Sequence, residues 1–241
     1  MKGVIQTGFG NPKDVLTVGE VDAPQAGDDQ VLVRVRAASI HIGAVYGVRG
    51  FPKVMRPIFK STIAESGVMG QNMAGVVEAV GKDVKHLSVG DEVFALLTGG
   101  GYAEQVVVHY GSVLPVPERL DLVSAAGLPE VYLTVFLNVF QLARFPDGGT
   151  LLVHGGGSGI GTASMQLVRE VGGRCYVTAG SDEKCAKCLA LGASAAINYK
   201  TENFAERIAE LTGGAGVDVV LDSIGGSYLE GNLASLCVGG R

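Results

Sequence analysis

Gly155-Gly156-Gly157-Ser158-Gly159-Ile160-Gly161 follows an apolar run, TLLVH at 150–154, and leads into a segment where Ile160, Ala163, Leu167 and Val171 recur at helical spacing. A strand that turns on glycines into a helix start is suited to holding phosphate. The glycines let the backbone approach the anion, and the unpaired N–H groups and positive dipole end of the helix favour it. The strict Gly-x-Gly-x-x-Gly spacing is not met, so on the loop alone a glycine-rich turn without a ligand stays open. The strand and helix pattern around the loop favours dinucleotide binding.

A second set of residues bears on which dinucleotide. The next apolar run, 175–179, ends Thr178-Ala179-Gly180-Ser181, and Lys184 follows. An NAD site usually carries an acid here, aimed at the ribose 2′-hydroxyl. A hydroxyl and an ammonium instead suit a 2′-phosphate, which favours NADPH. Asp182 and Glu183 lie close enough to keep NADH open.

The elements that must position these groups are legible in outline. VLVRVRA (31–37) puts Val31, Val33 and Val35 on one face and Arg34 and Arg36 on the other, the period-two pattern of a half-buried strand. Further strands are expected at 74–81, 90–97 and 102–108, so residues 1–118 read as a mostly β domain. Two prolines in 113–121 suggest a linker. From 119 to 241, apolar runs at 150–154, 175–179, 195–199 and 217–222 alternate with helical stretches, which predicts an α/β unit with a parallel sheet and helical crossovers.

Composition limits the partners. The 241 residues are 47% apolar, enough for a real core, and the net charge of −5 comes without a long basic run, so nucleic acid is not expected. No apolar window is long enough for a membrane span, and the first residues lack the apolar core of a signal peptide. The expected compartment is cytoplasmic, and the four cysteines, all in the second half, are expected as free thiols.

Five blocks, at 74–96, 100–108, 114–136, 151–167 and 177–199, are collinear with the medium-chain dehydrogenase/reductase superfamily, which the chain resembles over nearly its whole length. Within it the chain is most similar to the zinc-independent, zeta-crystallin-like NADPH quinone oxidoreductases. The resemblance implies a GroES-like β domain over 1–118, a doubly wound Rossmann domain over 119–241, and an active site in the cleft between them. It implies hydride transfer from NADPH to a quinone or an α,β-unsaturated carbonyl. It also implies roles: Gly156, Gly159 and Gly161, with Ser158 and Ile160 in the same loop, hold the pyrophosphate. Ser181, Lys184 and Tyr199, beside Gly180, surround the adenosine 2′-phosphate; Thr134 sits near the nicotinamide, and Tyr46 by the substrate. The short-chain reductases also use a Gly-Ile-Gly turn, but no tyrosine here has a lysine four residues on, as their catalytic pair requires.

The chain departs from the family pattern in three places. Zinc members draw their metal from residues near 39–44 and 70–75, where this chain has no cysteine and carries Gln71 and Asn72, so no metal is expected. Cys185-x-x-Cys188 falls at helical spacing and reads as packing. His86 and His109 read as surface or packing residues of the β half, and His154 as a residue shaping the glycine turn, with a cofactor contact open.

Quinone reductases of this branch usually read Asn-x-x-Asp-x-Tyr where this chain has His41-Ile42-Gly43-Ala44-Val45-Tyr46. Tyr46 and His41 are candidate general acids; both residues merely lining the pocket is the alternative. The segment 49–70 is longer than usual and resembles other branches of the superfamily, with Lys53, Arg56 and Lys60 expected on a solvated loop face.

The third departure is at the end, where only the first four of six Rossmann strands are expected. This leaves 217–222 as an unpaired apolar edge and suggests a truncated chain. Relatives pair along the missing strands, so homodimerisation is left open. A zinc-free alcohol dehydrogenase or enoyl reductase, and a non-catalytic NADPH-binding protein or inactive fragment, remain as alternatives.

Overall fold

The computed structural model describes residues 1–60 and 67–241. The stretch 61–66, within the long segment 49–70, lies outside the described residues. The chain divides into two units, Met1–Glu130 and Val131–Arg241.

The first unit is built on antiparallel pairing. β1 (Lys2–Gln6) pairs with β2 (Leu16–Glu20). A five-stranded sheet runs in the order β6-β3-β4-β5-β7, from β3 (Gln30–Ser39), β4 (Asn72–Val80), β5 (Glu92–Leu96), β6 (Gln105–His109) and β7 (Val113–Pro115). Alternation does what the sequence pattern asks. Val31 and Val33 are fully buried with Met73, Val77 and Val93, while Arg34 and Arg36 face out. Gly75 is fixed by close approach: a Cβ there would lie 2.1 Å from the Arg34 carbonyl oxygen.

Short helices of this unit include α1 (Pro12–Val15), α2 (Ile42–Arg49) and α3 (Leu122–Ala125). α2 begins after His41, carries Tyr46, and ends on Gly50 in the left-handed region at φ 61°. Arg56 is exposed but not purely solvated, since its Nε donates to the Gly50 carbonyl at 3.1 Å and its guanidinium lies over the Phe9 ring.

The expected linker at 113–121 is corrected. Val113–Pro115 pairs with β5 as the last strand of the sheet, where a proline, lacking an N–H, is tolerated on the outer edge. Asp121 then caps α3, and Ala125 and Ala126 pack on Ala74 of β4. The two compact units divide after Glu130.

The second unit is a parallel sheet in the order β10-β9-β8-β11, from β8 (Thr150–His154), β9 (Arg174–Ala179), β10 (Ala195–Asn198) and β11 (Val219–Leu221). This is the 3-2-1-4 half of a Rossmann sheet. α4 (Pro129–Val135) continues as a π-helical stretch to Leu142, and α5 (Gly159–Glu170), α6 (Asp182–Ala190), α7 (Phe204–Leu211) and α8 (Leu229–Ser235) follow. Every residue of β8 is buried, as a strand covered on both faces requires. Val153, Val177, Met165 and Val168 fill one side, and Leu152, Tyr176, Ile197 and Ile208 the other. Each large apolar side chain fully buried this way contributes about 2 kcal/mol.

Two expectations change here. Ile160, Ala163 and Leu167 of α5 pack on the core as their spacing predicts, with Gly161, Ser164, Met165 and Val168 buried beside them, while Val171 sits past the helix end and is 37% exposed. Nor is β11 an unpaired edge. The Val220 N–H donates to the Arg241 carbonyl at 2.9 Å, the Arg241 N–H donates to the Asp218 carbonyl at 3.0 Å, and Leu236 bridges to Val217 in parallel. The last residues of the chain supply partners along that edge.

Candidate active site

The glycine turn uses its glycines for different purposes. Gly155 turns the chain at φ 79°. Gly156 and Gly161 are packing positions: a Cβ on Gly156 would lie 2.6 Å from the Val177 side chain, and one on Gly161 2.5 Å from the Gly156 backbone. A Cβ on Gly159 would lie 2.7 Å from Val131 of α4. Gly157 is exposed, and a Cβ there would meet only the Lys184 Cδ, at 3.9 Å.

Ser158 caps α5 by accepting the Gly161 N–H at 3.1 Å. The first-turn N–H groups of Gly159 and Ile160 have no intrahelical acceptor. Donors, helix dipole and open space thus coincide at Gly157–Ile160, which is the geometry of an anion cradle. A dinucleotide fits these residues.

At the end of β9 a second cluster forms. The Tyr199 hydroxyl lies so close over Gly180 that a Cβ there would be 2.5 Å from it. Ser181 caps α6, accepting the Lys184 N–H at 3.3 Å. Both nearby acids are engaged elsewhere. Asp182 accepts from Asn198 Nδ2 at 2.6 Å, and Glu183 pairs with Lys187 at 2.7 Å. The hydrogen bond and charge of Lys187, reinforced by Lys184, hold the Glu183 carboxyl below its usual range. Lys184 is exposed and makes no ion pair within 4 Å among the described residues. The structure therefore brings Gly156–Gly161, Gly180, Ser181, Lys184 and Tyr199 together at the carboxyl ends of β8, β9 and β10, where open α/β sheets bind ligands.

Thr134 stands in α4, half-buried, with its carbonyl accepting Asn138 Nδ2 at 2.8 Å. Under the loop, Cys188 is 1% exposed and Cys185 8% exposed, so the Cys-x-x-Cys pair is packing. Burial raises both thiols, and pushes that of Cys175 up to about 12.

His154, at the end of β8, is almost fully buried and anchors the turn. Asn232 Nδ2 donates to Asp222, so its Oδ1 must accept from His154 Nε2, at 2.7 Å. Nδ1 then accepts from the Thr178 hydroxyl at 3.1 Å, and Thr178 Oγ1 accepts the Gly155 N–H at 3.3 Å. Phe204 and Tyr228 close over the ring edge-on. Sequence reading missed Thr178, Asp222 and Asn232, because Asn232 lies 78 residues from His154 and belongs to no local motif.

In the first unit, His41 precedes α2 at its cap position and Tyr46 lies within the helix. Tyr46 is 41% exposed and leans on Phe51, ring centroids 5.5 Å apart. His41 is mostly buried, with Nδ1 4.0 Å from a Glu130 carboxylate oxygen. A cavity lies along α2, lined by Ala44, Phe59, Val68, Met69 and Gln71, with Gly43 and Gly47 opening the helix face. Among the described residues no group of three or more His, Cys, Asp or Glu is placed to hold a metal. The donor set at 39–44 and 70–75 does not fit zinc.

An antiparallel β unit followed in sequence by a parallel 3-2-1-4 sheet, with a glycine turn after its first strand, defines the class of two-unit dehydrogenases. Residues 27–118 match the alcohol dehydrogenase GroES-like domain, and residues 159–241 match the family described as zinc-binding dehydrogenase. The quinone oxidoreductase of Rattus norvegicus is 33% identical over 234 residues, 97% of this chain and 69% of that protein. The structure of Escherichia coli quinone oxidoreductase complexed with NADPH superposes with a TM-score of 0.84 at 26% identity, covering 98% of this chain and 70% of that one. The CurK enoyl reductase gives 0.89 at 29% identity, covering 100% of this chain and 72% of that one. The chain belongs to the medium-chain dehydrogenase/reductase superfamily of oxidoreductases.

Proposed function

We propose that the protein transfers hydride from NADPH to an acceptor conjugated to a carbonyl, either a quinone or an α,β-unsaturated carbonyl compound. The observation that carries this reading is the cluster of Gly180, Ser181, Lys184 and Tyr199 beside an open anion cradle, with Asp182 and Glu183 both engaged elsewhere. An ammonium and a hydroxyl where an NAD site needs a free carboxylate suit a 2′-phosphate.

Bound there, the cofactor would supply hydride to the acceptor. The chain's own groups hold it. Gly157, Ser158, Gly159 and Ile160 present donors to the pyrophosphate, Gly156 and Gly161 keep the turn close to the sheet, and Ser181, Lys184 and Tyr199 take the adenosine end. Thr134 is the nicotinamide-side candidate in α4. His41 and Tyr46 are the candidate proton donors to the acceptor. Similarity to quinone oxidoreductases favours a quinone.

Within this proposal an enoyl compound is the second candidate acceptor, favoured by the higher TM-score to an enoyl reductase. A panel of p-quinones, alkenals and enoyl thioesters, each with NADPH, separates the two. Oxidation driven by quinones supports a quinone acceptor, and saturation of the conjugated double bond supports the unsaturated carbonyl. No oxidation with any acceptor overturns both.

A further inference from the structure

The cavity along α2 keeps open a space that neither packing nor backbone geometry explains. Gly47 lies inside α2 in ordinary helical conformation, and a Cβ there would meet nothing within 4 Å. Glycine inside a helix is destabilising relative to alanine, so a glycine that no neighbour demands needs another reason. Gly43, one turn earlier, has one: a Cβ on it would lie 2.8 Å from the His41 ring. Gly47 lines the cavity, where Phe59, Val68 and Met69 make the wall apolar.

Gln6, at the end of β1, is 3% exposed and lines the same cavity. Its Nε2 donates to the Gly8 carbonyl at 2.8 Å and to the Val48 carbonyl at 3.4 Å. Two carbonyl neighbours fix which end of the amide is nitrogen, so the oxygen is the end left over. Oε1 accepts from no group among the described residues. A buried amide satisfied at one end only calls for a donor at the other. No Lys, Arg, Asp or Glu stands among the described lining residues, so the cavity is matched to a neutral molecule.

We propose that this cavity is a binding site for a neutral small molecule with an apolar body and a hydroxyl or amide N–H, which donates to Gln6 Oε1. In the hydride-transfer reading above, on which this part rests, that molecule is the acceptor, and the group it carries beside its conjugated carbonyl occupies the space at Gly47. Gly47 then sets the size of that group and Gln6 its polarity. A ligand without the donor leaves Oε1 buried and unpaired, so the site discriminates against it.

The test uses the full chain and two redox-inert probes of similar shape, 4-methylphenol and 4-methylanisole, in ligand-observed NMR titrations without NADPH. The wild type should bind the phenol about tenfold more tightly than the methyl ether, and Gln6→Met should remove that preference. Gly47→Leu fills the space and should weaken the phenol about tenfold or more. Gly47→Ala should melt about 2 °C above wild type, since nothing in the fold requires glycine there. In turnover with NADPH, a p-quinone carrying a hydroxymethyl group should have a kcat/KM about tenfold above that of its methoxymethyl counterpart, and Gly47→Leu should erase the gap through KM.

Equal wild-type affinity for the two probes, no binding of either at millimolar concentration, undiminished binding in Gly47→Leu, or a Gly47→Ala variant that melts below wild type would overturn the site. If the probes bind as expected and the two quinones are used alike, the assignment of the site to the acceptor fails. If the wild type oxidises no NADPH, the functional reading fails instead, and the probe titrations still decide the site.

Discussion

Gly157 and Gly161 stand four residues apart in one turn and make opposite demands. A methyl on Gly161 would meet the Gly156 backbone at 2.5 Å, and backbone cannot step aside. Gly161→Ala should therefore lower the melting temperature by several degrees, as overpacking typically costs about 1–3 kcal/mol, and weaken NADPH binding with it. A methyl on Gly157 meets nothing closer than 3.9 Å. Gly157→Ala should melt like wild type yet bind NADPH about tenfold more weakly, because the methyl occupies space meant for the pyrophosphate. Calorimetric melting and fluorescence titration check both; unchanged affinity in Gly157→Ala would remove the cradle from that face. The sequence announces that this turn is glycine-rich, but not which glycine packs and which faces a ligand. That depends on Val177, Cys188 and Val131 arriving from β9, α6 and α4. The His41–Glu130 pair was invisible for the same reason, since two distant segments meet only in the folded sheet.

At the scale of elements, β8 is the axis on which the loop hangs, and His154 ties its end to α8 through Asn232 and to β9 through Thr178. Burial holds the His154 ring below the ordinary imidazole range, opposed in part by the Asn232 bond and the Asp222 charge. The folded state thus favours the neutral ring. Above pH 6.5 both states are neutral and no stability is lost. Below it the unfolded chain takes up a proton that the folded chain resists, so stability falls as pH drops, by at most about 1.4 kcal/mol per pH unit from this group.

Urea midpoints measured between pH 7 and pH 5 should decline in wild type, and less steeply in His154→Gln. Equal slopes would show that the ring is not the titrating group. Strand and helix periodicity gave β8, β9 and β10 almost to the residue, because parallel strands buried on both faces are simple apolar runs. It carried the α5 stripe one residue too far, to Val171, and missed the role of 113–121, where edge pairing overrides local pattern.

The whole molecule is a β unit and an α/β unit, each with its own core and its own set of candidate groups. The fold class was legible because many weak signals agreed: valine alternation, four βα repeats, and one glycine turn in the right context. The acceptor was not, because it depends on the apolar cavity along α2 and on residues 41–46, where the family pattern changes. The cofactor is the point on which the account rests.

The most direct test is steady-state oxidation of NADPH and of NADH by the purified chain with one p-quinone, in wild type and in Lys184→Ala. A 2′-phosphate held by Lys184 predicts kcat/KM for NADPH about tenfold or more above that for NADH, with the difference collapsing in Lys184→Ala through the NADPH value alone. Equal use of both dinucleotides by the wild type, or a preference that survives in Lys184→Ala, would contradict it.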